Sequence, residues 1–518
     1  MHTLFVRPTL NYAAIDKVLW WLVVENSISP SDMIHDSDWI HFNVTVDQAE
    51  ILLHTKFHRY RNTLNGEERI RTLGYSIPRG LLFHIDMIQP TTRFGRTRVE
   101  KRGPFEWEPV RKADGKPKVA VSQTLSGVFD FASCNATLFP KSVTVTPDCI
   151  RHLYNLGYYN LYSAVLNKRS RFGVAGFLDQ WAQFGALETF LKEFAPYATD
   201  NLEADLDVQY AVSLGYPVPV EYYSTGGLGE SIPDVANGGT NTNEPYLDFL
   251  HYMLALPDDQ LPQTLSISYG DDEWSVPAIF ARSTCNLFAQ LGARGVSVCA
   301  ATSDDGPGAG CQTNDGTNRT RFVTSFPASC PFVTAVGGTF GVVPEQAVFF
   351  SGGGFSDLFP QPDYQQIAVA AYLDGLASKQ AGLFDPYGRA TPDVSAQALF
   401  LYIVSNGSDS RASGTSVATP IFSSIIALLN NDRLNRGLSV LGFLNPWLYS
   451  LGQDAGLTDI IVGGSNGCFA NGSFTGLSAP YVPFAGWNAT VGWDPVTGLG
   501  TPNYPALLRS STTAAHSY

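Results

Sequence analysis

The chain runs to 518 residues, 44% of them apolar and 15% charged, which excludes a disordered polypeptide and leaves room for one large domain with ample core plus a smaller one. Its net charge of −14 is unevenly placed: residues 1–130 hold 17 Lys/Arg against 15 Asp/Glu, a balance of +2, and the remainder holds 16 against 32, a balance of −16. An acidic main body excludes a general nucleic-acid binder, and no stretch reaches the 18 or so uninterrupted apolar residues of a membrane span.

The opening segment, MHTLFVRPTLNYAAIDKVLWWLVV, lacks the basic-then-apolar pattern of a signal peptide, and its apolar run Val18–Val24 lies between Lys17 and Glu25. WIHFNVTVDQAEILLHTKFHRY, 39–60, alternates apolar and polar residues and then shifts to helical spacing through Ala49, Leu52 and Leu53, which predicts a strand followed by a helix. YSIPRGLLFHIDMIQPTTRFG predicts another strand after a turn. These segments make residues 1–95 a small α+β module. Residues 93–118 carry nine basic residues with Gly and Pro and no periodicity, so 96–145 reads as an exposed linker and a candidate site of proteolytic processing.

Beyond residue 145 the pattern changes. Short apolar strands at 296–302, 332–338 and 400–407 alternate with helical stretches such as Val276–Leu291, the mark of a parallel α/β sheet spanning 146–512. Catalytic groups in such sheets gather at the carboxyl ends of the strands. Two glycine-rich segments follow strands: SDDGPGAGC at 303–311 and FFSGGGFSD at 349–357. Neither has the strand-to-helix context of a nucleotide site.

RASGTSVATPIF, 411–422, places Ser416 in a turn at or just before an apolar helix, where exposed N–H groups favour negative charge. That suits a nucleophile whose transition state carries an oxyanion, but such a serine needs a base. The nine histidines stand at 2, 35, 41, 54, 58, 84, 152, 251 and 516, and none has the His-Gly-Thr context of a serine–histidine site. His152 reads as a surface helix residue and His251 as part of a core helix. Carboxylates offer an alternative base. In NLEADLDVQYAVS, Glu203 and Asp207 are four residues apart on a predicted helix and share a face, an arrangement that also occurs as a solvated acidic surface. Paired carboxylates share a proton, and a Glu so held can serve as base at acid pH, where imidazole is protonated. Asp304 and Asp305 sit in the turn after a strand, where a protonated aspartic acid can donate to an oxyanion and an ordinary Asx turn is the plainer reading.

SGTSVATP, EADLD, ATSDDGPGAG and GWDPVTGLGTP together resemble the sedolisins, the serine-carboxyl peptidases, especially fungal-type tripeptidyl peptidases. The resemblance runs from about residue 39 to 510. It implies a subtilisin-like α/β catalytic domain with a largely parallel sheet, a smaller α+β prodomain, polypeptide substrates, a monomer, and one structural Ca²⁺. It also implies Glu203 as general base, Asp207 as its support and Ser416 as nucleophile. Asp305 fits the oxyanion position as the third residue of Ser303-Asp304-Asp305, where the family shows Ser-Gly-Asp. The extra residue in this turn keeps Asp304 as the alternative. Calcium ligands fall on the carboxylates of Asp459 and Asp494 and the carbonyls of Ile460 and Gly492, with Thr490 at a further carbonyl position; hard oxygen donors suit this ion. SISYGDDE, 266–273, resembles the strand that pairs with substrate.

Cys134 and Cys149 flank a 14-residue segment near the expected start of the mature enzyme and are expected to pair, and by the same resemblance Cys311 pairs with Cys468, leaving Cys285, Cys299 and Cys330, of which Cys299 reads as a free core thiol. The prodomain match covers its later part, and its beginning and a signal peptide look missing, although the six N-x-S/T sequons and the cysteine pairs fit a secreted or acidic vacuolar protein. An acid-acting tripeptidyl peptidase is the leading expectation. An endopeptidase of the same family and a catalytically silent binding relative are the alternatives.

Overall fold

The computed structural model describes the chain apart from residues 1, 9–11, 37–38, 62–67, 83, 90, 92–107, 110–133, 135–143, 159–164, 181–182, 197–205, 239–240, 378, 406, 452–455, 472–476 and 514–518. It divides into two compact units, Met1–Arg98 and Val99–Tyr518.

In the first unit the strands Met33–Asp36, Trp39–Val44, His2–Pro8 and Ile85–Gln89 form an antiparallel sheet in that order. The expected strand–helix pair at 39–60 is present as Trp39–Val44 and Val46–Leu52. Thr45 separates them because its hydroxyl accepts from Gln48 N while the Gln48 side chain accepts from Thr45 N, a capping box that stops the strand and starts the helix. Val6, Val18, Leu22, Ile40, Phe42, Leu53 and Ile88 pack the core of this unit.

The second unit is built on six parallel strands: β1 (Phe172–Gly176), β2 (Val220–Ser224), β3 (Thr264–Ile267), β4 (Ser297–Ala301), β5 (Thr334–Phe340) and β6 (Val394–Gln397). They lie in the order β2-β1-β3-β4-β5-β6, and Gln346–Ala347 runs antiparallel beside the far end of β5. Burial of β1, β3, β4 and β6 on both faces explains why these strands are continuous apolar or small runs rather than alternating ones. Three helices matter for the site: α1 (Leu206–Gly215), α2 (Ala278–Ala293) and α3 (Thr415–Asn435). α3 crosses β3, β4, β5 and β6 and packs against α1, so its apolar residues Val417, Ile421, Phe422, Ile425 and Leu428 lie in the main core. The order of the sheet reverses between β1 and β3, which puts the switch-point crevice at their carboxyl ends, one strand from the end of β4.

One expected strand belongs elsewhere. FLYIVSNG yields Leu401–Ser405, but it pairs antiparallel with Ser408–Ala412 in a hairpin outside the parallel sheet. Gly407, at φ +71°, supports the reversal, and the linker residues Glu108–Pro109 add a third strand beside Arg411 and Ser410. The rest of the expected linker, apart from these two residues and Cys134, lies outside the described residues through 143.

Disulfides join Cys134 to Cys149, Cys311 to Cys468 and Cys285 to Cys330, while Cys299 is free in β4. Its burial pushes the thiol up to about 12, so it stays uncharged. Among the described residues, no helix is long and apolar enough to cross a membrane.

Phe422 is fully buried where α3 meets the sheet. Phe422→Ala is expected to destabilise the unit by about 3–5 kcal/mol, read as a lower urea midpoint, because a cavity replaces a ring between packed layers.

Candidate active site

β3 ends at Ile267 and delivers Ser268; β4 ends at Ala301 and delivers Thr302, Ser303 and Asp304. Between these two strand ends stands the N-terminus of α3. Gly414 caps it, Thr415 is its first helical residue and Ser416 its second. Ser416 is therefore inside the first turn, where helix N–H groups and dipole favour an anion.

Ser416 is 2% exposed, and its Oγ donates to the Ser268 carbonyl at 3.3 Å. The Ser268 hydroxyl donates in return to the Ser416 carbonyl at 2.8 Å. This reciprocal pair fixes the serine against the end of β3.

Asp304 approaches from the other side. Its Oδ1 accepts the Thr415 N–H at 2.6 Å and lies 3.0 Å from the Thr415 hydroxyl. Its Oδ2 is closed to solvent and has no partner among the described residues. That oxygen faces Gly414, where an added Cβ would stand 2.8 Å from it, and Gly414 holds φ +145°, so a side chain here meets both strain and a carboxyl. Burial pushes Asp304 up to about 7, tempered by the two Thr415 hydrogen bonds and reinforced by the charge of Asp305.

The turn carrying Asp304 is held from behind by the second glycine-rich segment. Gly352 N donates to the Ser303 carbonyl at 3.0 Å, Gly306 N to the Phe350 carbonyl at 3.0 Å, and Gly353 N to the Gly306 carbonyl at 3.2 Å. A Cβ on Gly352 would lie 2.1 Å from the Thr302 carbonyl oxygen, so the close approach requires glycine. The Cys311–Cys468 bond and the Cys468 N–H donated to the Gly308 carbonyl at 3.0 Å tie the end of the turn to the 463–468 segment.

Asp207 is in the first turn of α1 and partly buried, with Oδ1 closed to solvent and unpartnered among the described residues. Burial raises it to about 7 against a hydrogen bond with Ser268 that lowers it. Ser268 thus touches both Asp207 and Ser416. Glu203 lies outside the described residues, and the described helix begins at Leu206. Asp305 sits beside Asp304, and its carbonyl accepts the Gly308 N–H at 3.0 Å.

The calcium candidates meet away from the serine. Asp459 Oδ2 accepts the Gly492 N–H at 2.8 Å. Asp494, fully buried, accepts N–H groups of Thr490, Val496 and Thr497 at 3.0, 3.0 and 2.8 Å. No cationic side chain is among the groups acting on Asp494, and space is open around Gly492, whose added Cβ would meet nothing within 4 Å. Two carboxylates and main-chain oxygens in abutting loops fit a hard cation. Among the described residues no three His, Cys, Asp or Glu side chains converge as a metal site, so main-chain oxygens would have to complete the coordination.

His152 is an exposed helix residue with Nδ1 2.7 Å from the Asp148 carbonyl, and among the described residues no histidine hydrogen-bonds Ser416. Ser268 was not singled out from the sequence. Its position at the end of a buried strand opposite the candidate serine is the signal that could have marked it.

A serine at a helix N-terminus, beside strand ends of a parallel sheet and flanked by buried carboxyls, defines a serine-type peptidase. Comparison with known proteins takes this further. The profile of the pro-kumamolisin activation domain matches residues 9–94. The chain is 45% identical over 518 residues to a probable tripeptidyl-peptidase SED2 of Arthroderma benhamiae, covering 95% of this chain and 83% of that protein. It is 44% identical over 529 residues to the tripeptidyl-peptidase SED2 of Arthroderma otae, covering 97% and 84%. Among solved structures it is similar to a Pseudomonas sedolisin, a serine-carboxyl proteinase complexed with two molecules of pseudo-iodotyrostatin, with TM-score 0.46 and 19% identity over 71% of this chain and 98% of that one. The chain belongs to the sedolisin family of serine peptidases, with a prodomain ahead of its catalytic unit.

Asp207 and Asp304 hold their protons more tightly folded, at about 7, than unfolded, at about 3.9. The folded state binds more protons across that interval, so stability falls as pH rises through it. Urea midpoints measured from acid to neutral pH are expected to decline, and the decline should shrink in Asp304→Asn.

Proposed function

We propose that this chain is a serine-carboxyl peptidase that acts at acid pH and releases tripeptides from the free N-termini of polypeptides. The names of its relatives support the tripeptide, and the carboxyls around Ser416 support the acid pH. In this reading Ser416 Oγ attacks the scissile carbonyl, its proton passes to Glu203, and Glu203 then delivers it to the departing amine. Protonated Asp207 donates to Glu203 and keeps the base ionised.

Asp304, rather than Asp305, is assigned to the oxyanion. The observation that carries the reading is its divided carboxyl, with Oδ1 engaged by Thr415 and Oδ2 buried beside Gly414 without a partner among the described residues. A proton on Oδ2 makes Asp304 a donor toward charge developing next to Ser416. The assignment is self-consistent in pH. A carboxyl raised to about 7 remains protonated under acid conditions, whereas a histidine base would be charged and inactive.

Asp459, Asp494 and the carbonyls of Ile460 and Gly492 are assigned to a structural Ca²⁺. Bound there, the ion would neutralise two carboxylates and clamp the loops at 459–460 and 490–494, remote from the bond being cut.

With purified, acid-processed protein at about pH 4.5, an unblocked tripeptide-aminomethylcoumarin should be cleaved far faster than its N-acetylated counterpart. Equal cleavage of both would favour an endopeptidase. Glu203→Gln should abolish turnover without altering the thermal midpoint. Asp304→Asn should lower kcat by about 10²–10³-fold, the usual loss on removing one oxyanion donor. Asp305→Asn should cost far less, and the reverse order would move the role to Asp305. Wild-type kcat/KM should fall as pH rises through about 7, where Asp304 loses its proton.

Removing divalent ions with a chelator at about pH 6 should lower the thermal midpoint, and added Ca²⁺ should restore it, because a ligand held only by the folded state stabilises that state. An unchanged midpoint would contradict the calcium assignment.

A further inference from the structure

A second group of carboxylates lies a few residues beyond Ser268. The chain continues through Tyr269 and Gly270 into the short strand Asp271–Asp272, which pairs antiparallel with Ser325–Phe326. Asp271 is fully engaged. It accepts from the Asn237 amide at 2.5 Å, from the Asp272 N–H at 2.9 Å, and from the Thr242 hydroxyl.

Asp272 is in a different position. Among the described residues, the charges acting on it are the carboxylates of Asp234, Asp271 and Asp305, and no hydrogen bond offsets its burial. Asp234 uses Oδ1 to accept the Asn237 N–H at 2.6 Å, while its Oδ2 is closed to solvent and unpartnered among the described residues. Glu244, 4% exposed, adds another carboxylate to the group, close enough to Asp271 to feel its charge.

Ser325 supplies an independent sign. It stands directly across the ladder from Asp272, and opposite residues of an antiparallel pair present their side chains on the same face. Ser325 is 3% exposed, yet its Oγ has no partner among the described residues. A buried hydroxyl and a buried carboxylate oxygen left unpaired beside uncompensated negative charge call for a ligand that brings positive charge and N–H donors. A metal ion fits less well, since no three His, Cys, Asp or Glu side chains among the described residues converge on one point.

Distance along the chain says which cation. Ser268 touches Ser416, and Asp271–Asp272 lies three to four residues further on. At about 3.3 Å per extended residue this is about 10–13 Å, the span of a tripeptide whose last carbonyl lies at the serine.

Resting on the tripeptidyl reading above, we propose that Asp272, with Asp234 and Ser325, binds the α-ammonium group of the polypeptide substrate and so sets the cut three residues from the free N-terminus. Asp272 supplies the countercharge by giving up its proton as the ammonium docks beside it, while Asp234 Oδ2 and Ser325 Oγ accept N–H bonds. An acetylated N-terminus would lose the charge and leave these groups unpaired, which is how such a pocket would reject blocked and internal sequences.

The test compares three substrates at about pH 4.5 on acid-processed wild type, Asp272→Asn and Asp234→Asn: an unblocked tripeptide-aminomethylcoumarin, its N-acetylated form, and a long N-blocked quenched peptide. In wild type the ratio of unblocked to blocked kcat/KM tests the tripeptidyl reading itself; a ratio near one would end that reading and this proposal with it. If wild type prefers the unblocked substrate, Asp272→Asn should lower its kcat/KM at least tenfold, chiefly through KM, and leave the two blocked substrates within about twofold. Asp234→Asn should act in the same direction, and it carries the test if Asp272→Asn does not fold. An unchanged ratio in the folded variants, or an equal fall on all three substrates, would overturn the proposal and leave the tripeptidyl reading standing.

Discussion

The hydrogen bond from the Thr415 N–H to Asp304 Oδ1 is the contact on which the site depends. It joins the turn after β4 to the first residue of α3, so the relative position of a strand end and a helix N-terminus is fixed by one buried carboxyl. The glycines at 352 and 353 hold the turn from behind, and Gly414 leaves room in front. With one oxygen committed to the helix, the other lies beside Gly414, closed to solvent and without a partner among the described residues. An ionised Asp304 would leave that oxygen charged, buried and unpaired, a state that costs several kcal/mol. A proton resolves the conflict, as the raised Asp304 carboxyl requires.

The same constraint runs through the catalytic unit. Asp207, Asp234, Asp272 and Asp304 are all raised by burial, and the leading groups acting on them among the described residues are hydrogen-bond donors and other carboxyls. Where the fold does use a buried ion pair, as between Arg389 and Asp393, the pair is structural. Arg389 Nη2 lies 2.5 Å from Asp393 Oδ2, and Asn445 and Tyr449 complete its hydrogen bonding. The sheet makes the site economical: one switch point gathers Ser268, Asp304 and Ser416 from elements far apart in sequence.

Much of this was legible in the sequence, for physical reasons. Alternation of buried strands with helices announced the parallel sheet, because strands covered on both faces cannot alternate polar and apolar residues. The absence of a usable histidine directed attention to carboxylates, and Asp207 and Ser416 do converge, through Ser268. What was not legible was geometry that depends on partners distant in sequence. SISYGDDE marks the strand that carries Ser268 but not the residue, whose role comes from facing a helix 148 residues away. Asp304 and Asp305 are neighbours of identical chemistry, and only the contact with Thr415 separates them. FLYIVSNG has the composition of a core strand, and its hairpin partner Ser408–Ala412 is polar enough to pass for a loop. The pairing of Cys285 with Cys330 likewise needed coordinates, since either could have bonded Cys299 by count alone.

The central claim is that a neutral Asp304 carboxyl stands beside Ser416 under working conditions. Isotope-edited infrared difference spectra of wild type against Asp304→Asn, recorded across pH with 13C-labelled aspartate, read that proton directly. The account predicts a protonated carboxyl stretch assignable to Asp304 that persists in acid and gives way to carboxylate bands near a pH of about 7. A carboxylate band from Asp304 already present at about pH 4.5 would contradict it.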